Sequence, residues 1–129
     1  MYKEAMEAPE IVARQTANNR DLMKSLASEL RANDPYSLVT VARGSSDHAA
    51  QYLNYLAGLC LGKLSTSLSL SLITIYQKKI KAERSLAIAI SQSGESPDLI
   101  EPMMSFKKNA LSTVAMVNAV DSPLAQEVK

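Results

Sequence analysis

Two short serine-rich segments contain the residues whose types and spacing could do chemistry. The first reads Arg43-Gly44-Ser45-Ser46 and the second reads Ser91-Gln92-Ser93-Gly94-Glu95-Ser96. Their side chains are mostly hydrogen-bond donors, and their glycines let the backbone approach a ligand closely or adopt positive φ. Neither segment contains the lysine of a P-loop or the Gly-x-Gly-x-x-Gly pattern that binds dinucleotides. Donors of this kind, without a lysine or magnesium ligands, suit a phosphate monoester that is held and not transferred.

The elements that must position these segments are strands and helices in alternation. Each segment follows an apolar run that predicts a buried strand, at 37–42 and at 85–90. Each also precedes a predicted helix, one over 47–61 and one that begins at Ser96-Pro97. In an open parallel sheet, ligands bind beyond the carboxyl ends of the strands, where helix N-termini offer unpaired N–H groups. The sequence therefore predicts that both segments lie at one anion-binding edge of a sheet.

Helix capping is the alternative role for Ser46 and Ser96, since serine is a preferred N-cap residue. Two such segments at equivalent strand ends favour the phosphate interpretation over capping alone. The predicted phosphate-binding residues are Gly44, Ser45, Ser46, Ser91, Gln92, Ser93 and Ser96.

The rest of the chain completes an α/β pattern. Residues 1–34 predict a helical lead-in of two helices that meet near 16–19, and Asn33-Asp34-Pro35 interrupts it. Residues 35–129 predict a single domain. Its remaining elements are a short strand near 65–69 with a short helix after it, a strand at 112–117 and a final helix that starts at 121–123. Alternating strands and helices predict a doubly wound parallel sheet with flanking helices.

Composition narrows the class of partner. Fourteen basic and thirteen acidic residues give a formal charge of +1, so no global field favours nucleic acid or an anionic membrane. The single cysteine, Cys60, cannot form an internal disulfide, which fits a reducing, cytoplasmic location. Cys60 is expected to pack in the core. The sequence shows neither a signal-peptide pattern nor an apolar run of membrane-spanning length. No metal-ligand spacing occurs, so no metal is expected.

The residues that would move protons are not identified by the sequence. Glu95 and His48 are the candidates, although a carboxylate in a first helical turn commonly serves the helix dipole and a lone histidine is commonly structural. Arg43 could contact the phosphate or a sugar hydroxyl, or it could pair with Asp47.

These segments resemble the signatures of the SIS (sugar isomerase) domain. The residues that carry the resemblance are 43–49 and 91–98, and the opening 1–10 is similar to the helical lead-in of the same group. Within this family, the segments resemble the isomerase part of glucosamine-6-phosphate synthase and the SIS-type glucosamine-6-phosphate deaminases. The resemblance implies a flavodoxin-like three-layer sandwich without an organic cofactor, working as a homodimer or larger assembly. It also implies an aldose-ketose sugar phosphate whose phosphate is bound by Ser46, Ser91, Gln92, Ser93 and Ser96.

The chain departs from that family in two ways. The synthases usually have Cys-Gly-Thr-Ser where this chain has 43–46, and no glutamine-hydrolysing domain precedes it, which favours the deaminase-like branch. Such enzymes also carry two SIS units, and their proton-moving residues belong mostly to the second unit or to a neighbouring subunit. The chain contains one unit and ends before a fifth strand, as the first of two units or a fragment would. Three functions follow: a hexosamine 6-phosphate isomerase or deaminase, a non-catalytic sugar-phosphate sensor, and a Rossmann-like nucleotide binder.

Overall fold

The computed structural model describes residues 2–128, which form a helical unit up to Asp34 and an α/β unit from Pro35 onward. The helical unit consists of α1 (Tyr2–Asn18) and α2 (Arg20–Asn33). The two helices meet within the predicted junction, and α2 ends at Asp34, which has a left-handed φ of 42° directly before the proline. Met1 and Lys129, the outer ends of the two predicted units, lie outside the described residues.

The α/β unit is built on a four-stranded parallel sheet. Its strands are β1 (Ser37–Ala42), β2 (Leu64–Ser67), β3 (Ser85–Ser91) and β4 (Ser112–Val117), in the order β2-β1-β3-β4. Its helices are α3 (Ser45–Leu61), α4 (Ser71–Thr74), α5 (Pro97–Lys107) and α6 (Pro123–Glu127). This architecture confirms the predicted doubly wound α/β fold.

The side of the sheet on which the next strand is added changes between β1 and β3. From β1 the chain crosses to β2 on one side, whereas from β3 it crosses to β4 on the other side. Right-handed crossovers therefore put α3 and α5 on opposite faces of the sheet. The two central strands pair in register from Ser37 opposite Ser85 to Ala42 opposite Ile90, so they end at the same level. This reversal is the switch point at which doubly wound sheets bind ligands.

One face of the sheet packs against α5. Fully buried Met103 and Phe106, together with buried Leu99, place the apolar face of this helix on the sheet. The strand residues that meet them alternate along β1 and β3, as period-two side chains must. They are Val39, Val41, Ala87 and Ala89.

The opposite face is covered by α3, on which Ala50 and Ala57 are buried. The prediction that Cys60 packs in the core is wrong, because Cys60 is exposed and lies roughly a quarter turn away from the face that contains Ala50 and Ala57. The same interface contains a polar contact: Asn54 Nδ2 donates to Oγ1 of the fully buried Thr40 at 3.0 Å. Because this bond turns Asn54 toward the sheet, the buried face includes a polar residue that an apolar pattern cannot identify.

The outer face of α3 is apolar. No charged residue occurs from Ala49 to Gly62, and the stripe of Tyr52, Tyr55 and Leu59 has exposed fractions of 65%, 66% and 67%. Solvent-facing helix surfaces normally carry charged side chains, so this face has the composition of a contact surface. Among residues 2–128, no helix has both the length and the apolarity needed to cross a membrane.

Candidate functional site

The first serine-rich segment is a tight turn between β1 and α3. Gly44 adopts φ 55° and ψ −132°, a conformation that side chains disfavour, and the helix starts at the next residue. The carbonyl of Arg43 accepts from the Ser46 N–H at 3.1 Å, and the carbonyl of Gly44 accepts from the Asp47 N–H at 3.1 Å. The turn therefore fixes the backbone from which Arg43, Ser45 and Ser46 project.

The second serine-rich segment folds back on itself at the end of β3. Oγ of the buried Ser91 accepts from the Gly94 N–H at 3.0 Å, and Oγ of Ser93 accepts from the Glu95 N–H at 3.3 Å. Gly94 has a φ of 68°. Ser91 thus organises the loop from within, whereas Gln92 and Ser93 are exposed.

Residues far along the chain hold this loop in place. The carbonyl of Gln92 accepts from the Asn118 N–H at 3.3 Å, and the carbonyl of Gly94 accepts from the Leu124 N–H at 3.0 Å. Sequence reasoning missed both partners, since they lie more than twenty residues away, Asn118 directly after β4 and Leu124 in α6, and use only their backbone. The loop is therefore a fixed part of the domain.

Several donors of the two segments are unused. Within the described chain, the N–H groups of Ser93 and Ser96 donate to no protein acceptor. Ser96 is the N-cap residue of α5 and Ser46 lies in the first turn of α3, yet neither helix receives a side-chain capping bond. Capping is therefore not the role of these two hydroxyls in the structure. The free groups include the hydroxyls of Ser45, Ser46 and Ser96, the side-chain amide of Gln92 and the two backbone N–H groups.

Arg43 forms an ion pair across the two segments. Its Nη1 donates to Oδ2 of Asp98 in the first turn of α5. Of the two roles considered for Arg43, pairing with Asp47 is not observed, since Asp47 accepts from Gln51 Nε2 at 2.9 Å and from Ser67 Oγ at 3.0 Å. Arg43 and Asp98 are 55 positions apart, so sequence spacing gave no sign of this pair.

The two candidates for proton transfer are both exposed. His48 lies in the first turn of α3, and Glu95 lies in the second segment. Within residues 2–128, the side chain of neither residue forms a hydrogen bond or an ion pair. Nor does this part of the chain group three or more His, Cys, Asp or Glu side chains closely enough to hold a metal ion.

The fold and site together define a class: a doubly wound α/β domain with donor-rich turns after both strands of its switch point. Comparison with known proteins gives the family. The chain belongs to the SIS domain family, whose model matches residues 29–129. The resemblance inferred from the two segments is thereby confirmed.

Individual relatives agree with this family. Two archaeal proteins named glutamine–fructose-6-phosphate aminotransferase (isomerizing) are similar: that of Methanocaldococcus jannaschii is 34% identical over 98% of this chain, and that of Thermococcus kodakarensis is 32% identical over 95%. The chain spans only 11% and 20% of their respective lengths. A crystal structure from Silicibacter pomeroyi, provisionally titled a phosphosugar isomerase, superposes with a TM-score of 0.91 at 38% identity, over 95% of this chain and 37% of that one.

Proposed function

We propose that this chain binds a sugar phosphate, as part of an enzyme that isomerises or deaminates a hexosamine 6-phosphate. The observation that carries the proposal is the set of unused donors at the switch point, above all the N–H groups of Ser93 and Ser96. The names of the relatives, which include fructose 6-phosphate and phosphosugar, support the same substrate class.

A phosphate monoester matches these donors in number and charge. Its oxygens accept hydrogen bonds from hydroxyl and N–H groups, and the N-terminus of α5 adds a partial positive charge. Gly44 and Gly94 keep side chains away from the two turns, so that the backbone can approach the ligand. The proposed phosphate ligands are the hydroxyls and amides of Ser45, Ser46, Ser91, Gln92, Ser93 and Ser96. Local donors of this kind suffice in a protein of net charge +1.

The proposed chemistry is ring opening followed by proton transfer between the first two carbons of the sugar; in deamination, water then adds to the imine at the second carbon and ammonia leaves, and amination is the reverse. Glu95 and His48 are the candidates for moving protons on this chain, and the reaction requires no organic cofactor. Arg43 in place of the cysteine of the synthases favours the deaminase-like direction. The protein is proposed to function in the reducing cytoplasm, because its single cysteine, Cys60, is a free and exposed thiol.

The proposal includes a homodimer in which facing subunits complete the site. The uncharged stripe on α3, formed by Tyr52, Tyr55 and Leu59, is the surface that we assign to the second copy. Tyrosine is enriched at interfaces and charged residues are depleted from their cores. An aromatic side chain buries on the order of 150–250 Å², so the exposed two-thirds of Tyr52 and Tyr55 offers roughly 200–330 Å². Together with Leu59, that is about a third to a half of the ~800 Å² per partner of a standard interface.

A second candidate function is a sugar-phosphate sensor without catalysis. It is favoured by the isolation of His48 and Glu95, neither of which bonds to another titratable group among the described residues. A general base is usually oriented by a neighbouring group. A sensor need only bind its ligand and change its association state.

Thermal unfolding with added ligand tests the binding proposal. Glucosamine 6-phosphate and fructose 6-phosphate are expected to raise the midpoint by mass action, and NAD is expected to have no effect. Ser93→Ala combined with Ser96→Ala should reduce the shift, while Ser28→Ala, at an exposed serine of the helical unit, should leave it unchanged. A failure of every sugar phosphate to stabilise the protein would overturn the proposal. Ammonia release from glucosamine 6-phosphate then separates the enzyme from the sensor.

A further inference from the structure

One ion pair joins the two serine-rich segments. Arg43 is the residue directly before Gly44, and Asp98 lies two residues beyond Ser96. Two residues along a helix correspond to a rise of about 3 Å, so the pair lies beside the proposed phosphate ligands and not among them. A sugar held by its phosphate would extend its carbon chain past the segments, where this pair is available.

The exposure of the pair argues against a role in fold stability. The side chains of Arg43 and Asp98 are 60% and 29% exposed. Ion pairs at such positions contribute little to folding, because water screens the charges and two flexible side chains must be ordered. The ion pair orients the exposed guanidinium of Arg43. An oriented guanidinium is suited to binding a ligand.

The hydrogen-bonding groups of this pair that remain unused suit a sugar hydroxyl. The guanidinium of Arg43 has five N–H donors, of which one is used on Asp98 Oδ2. Asp98 Oδ1 accepts no hydrogen bond from the described residues. A sugar hydroxyl both donates and accepts, so it can bond to the arginine and to the free carboxylate oxygen together. A second anionic group would be repelled by the carboxylate that already neutralises Arg43.

We infer that Arg43 and Asp98 together bind hydroxyl oxygens on the carbon chain of the sugar and do not bind its phosphate. Arg43 is the specificity-determining residue, and Asp98 is the positioning residue that fixes the guanidinium. This inference rests on the proposed function, since it needs a sugar phosphate in the site. It explains how the site would bind a hexose phosphate more tightly than inorganic phosphate.

The test compares two affinities in each variant by titration calorimetry: one for inorganic phosphate and one for glucosamine 6-phosphate. The variants are Asp98→Asn, Arg43→Met and the two combined. Glu101→Gln, an exposed acid on the same helix, and Lys79→Met, an exposed base elsewhere, are the charge-matched controls. The wild type and both controls should bind the hexosamine phosphate at least about tenfold more tightly than phosphate.

The expected result is that each single variant loses this preference while its affinity for inorganic phosphate stays within about threefold of the wild type. The double variant should lose no more than either single variant, since the two residues act as a unit. If Arg43→Met weakens inorganic phosphate to the same degree, Arg43 is a phosphate ligand and the inference is overturned, although the proposed function stands. The inference is also overturned if Asp98→Asn changes neither affinity, or if the wild type shows no preference. If the wild type binds neither compound, the proposed function fails and the inference fails with it.

Discussion

Gly94 lies directly against the side chain of Ser122, with no room for a methyl group between them. A Cβ added at Gly94 would lie 2.6 Å from Ser122 Cβ, closer still to its Oγ, and 3.4 Å from Val117 Cγ1. Gly94 also has a φ of 68°, which side chains rarely adopt. Both the dihedral angle and the space therefore require glycine at this position of the second segment.

Gly94→Ala is expected to destabilise the protein by about 2–4 kcal/mol, because left-handed strain and a steric clash add together. Urea unfolding measures the change. Gly62→Ala is the matched control, since Gly62 has a similar φ of 63° but an added Cβ would meet nothing within 4 Å. It should cost about 1 kcal/mol. Equal losses in the two variants would show that the contact with Ser122 does not matter.

Two helices begin with the sequence Ser-Pro, but only one serine caps its helix. Oγ of Ser122 accepts from the Ala125 N–H at 3.4 Å, whereas the N-cap Ser96 makes no side-chain capping bond. Ser122→Ala should therefore cost about 1 kcal/mol of unfolding free energy. Ser96→Ala should change it by less than about 0.5 kcal/mol while weakening the binding of sugar phosphate. A larger loss of stability for Ser96→Ala would mean that this serine is structural after all.

The buried contact between Thr40 and Asn54 predicts a coupled pair. Thr40→Val removes the acceptor of Asn54 Nδ2 and should cost about 1–3 kcal/mol, because a buried polar group loses its partner. Asn54 Oδ1 is already buried without a partner. Adding Asn54→Leu should therefore recover about 1 kcal/mol. The comparison is made by urea unfolding of the two single variants and the double variant.

Thr113→Val supplies the control for that pair. Thr113 lies on β4, is half-buried and makes no side-chain hydrogen bond among the described residues. Its replacement should change stability by less than about 0.5 kcal/mol. Strictly additive losses at Thr40 and Asn54 would contradict the coupling.

The apolar stripe on α3 predicts self-association. The wild type should sediment as a dimer at micromolar concentration, and Tyr55→Lys should shift it toward the monomer, because a charge in the centre of an apolar contact must be desolvated. Tyr76→Lys is the control, since Tyr76 is equally exposed but lies outside α3. A monomeric wild type would contradict the assignment of this stripe to a second copy.

The parts of the fold that the sequence predicts are those determined by local patterns. Apolar runs identified β1, β3 and β4, and Ser-Pro and glycine signals identified where α5 and α6 begin and where the two turns lie. The pattern was wrong for Cys60, which is exposed, and it did not identify Asn54, whose hydrogen bond to Thr40 places a polar residue in the interface of α3.

The candidate site shows the same division between local and distant information. The serines and glycines of both segments could be picked out because each lies at a strand end. The partner of Arg43 could not, since Asp47 is close in sequence and Asp98 becomes its neighbour only when β1 and β3 pair. Asn118 and Leu124 act through backbone N–H groups, which any residue supplies, so no side-chain type marks them.

The backbone bonds from Asn118 and Leu124 to the second segment have a consequence for synthesis. A ribosome makes Gln92 and Gly94 well before it makes the residues that hold their carbonyls in place. Until Leu124 has left the exit tunnel, the nascent chain has a complete set of serines but no fixed loop. Recognition of the ligand is therefore expected to begin only after α6 has been made.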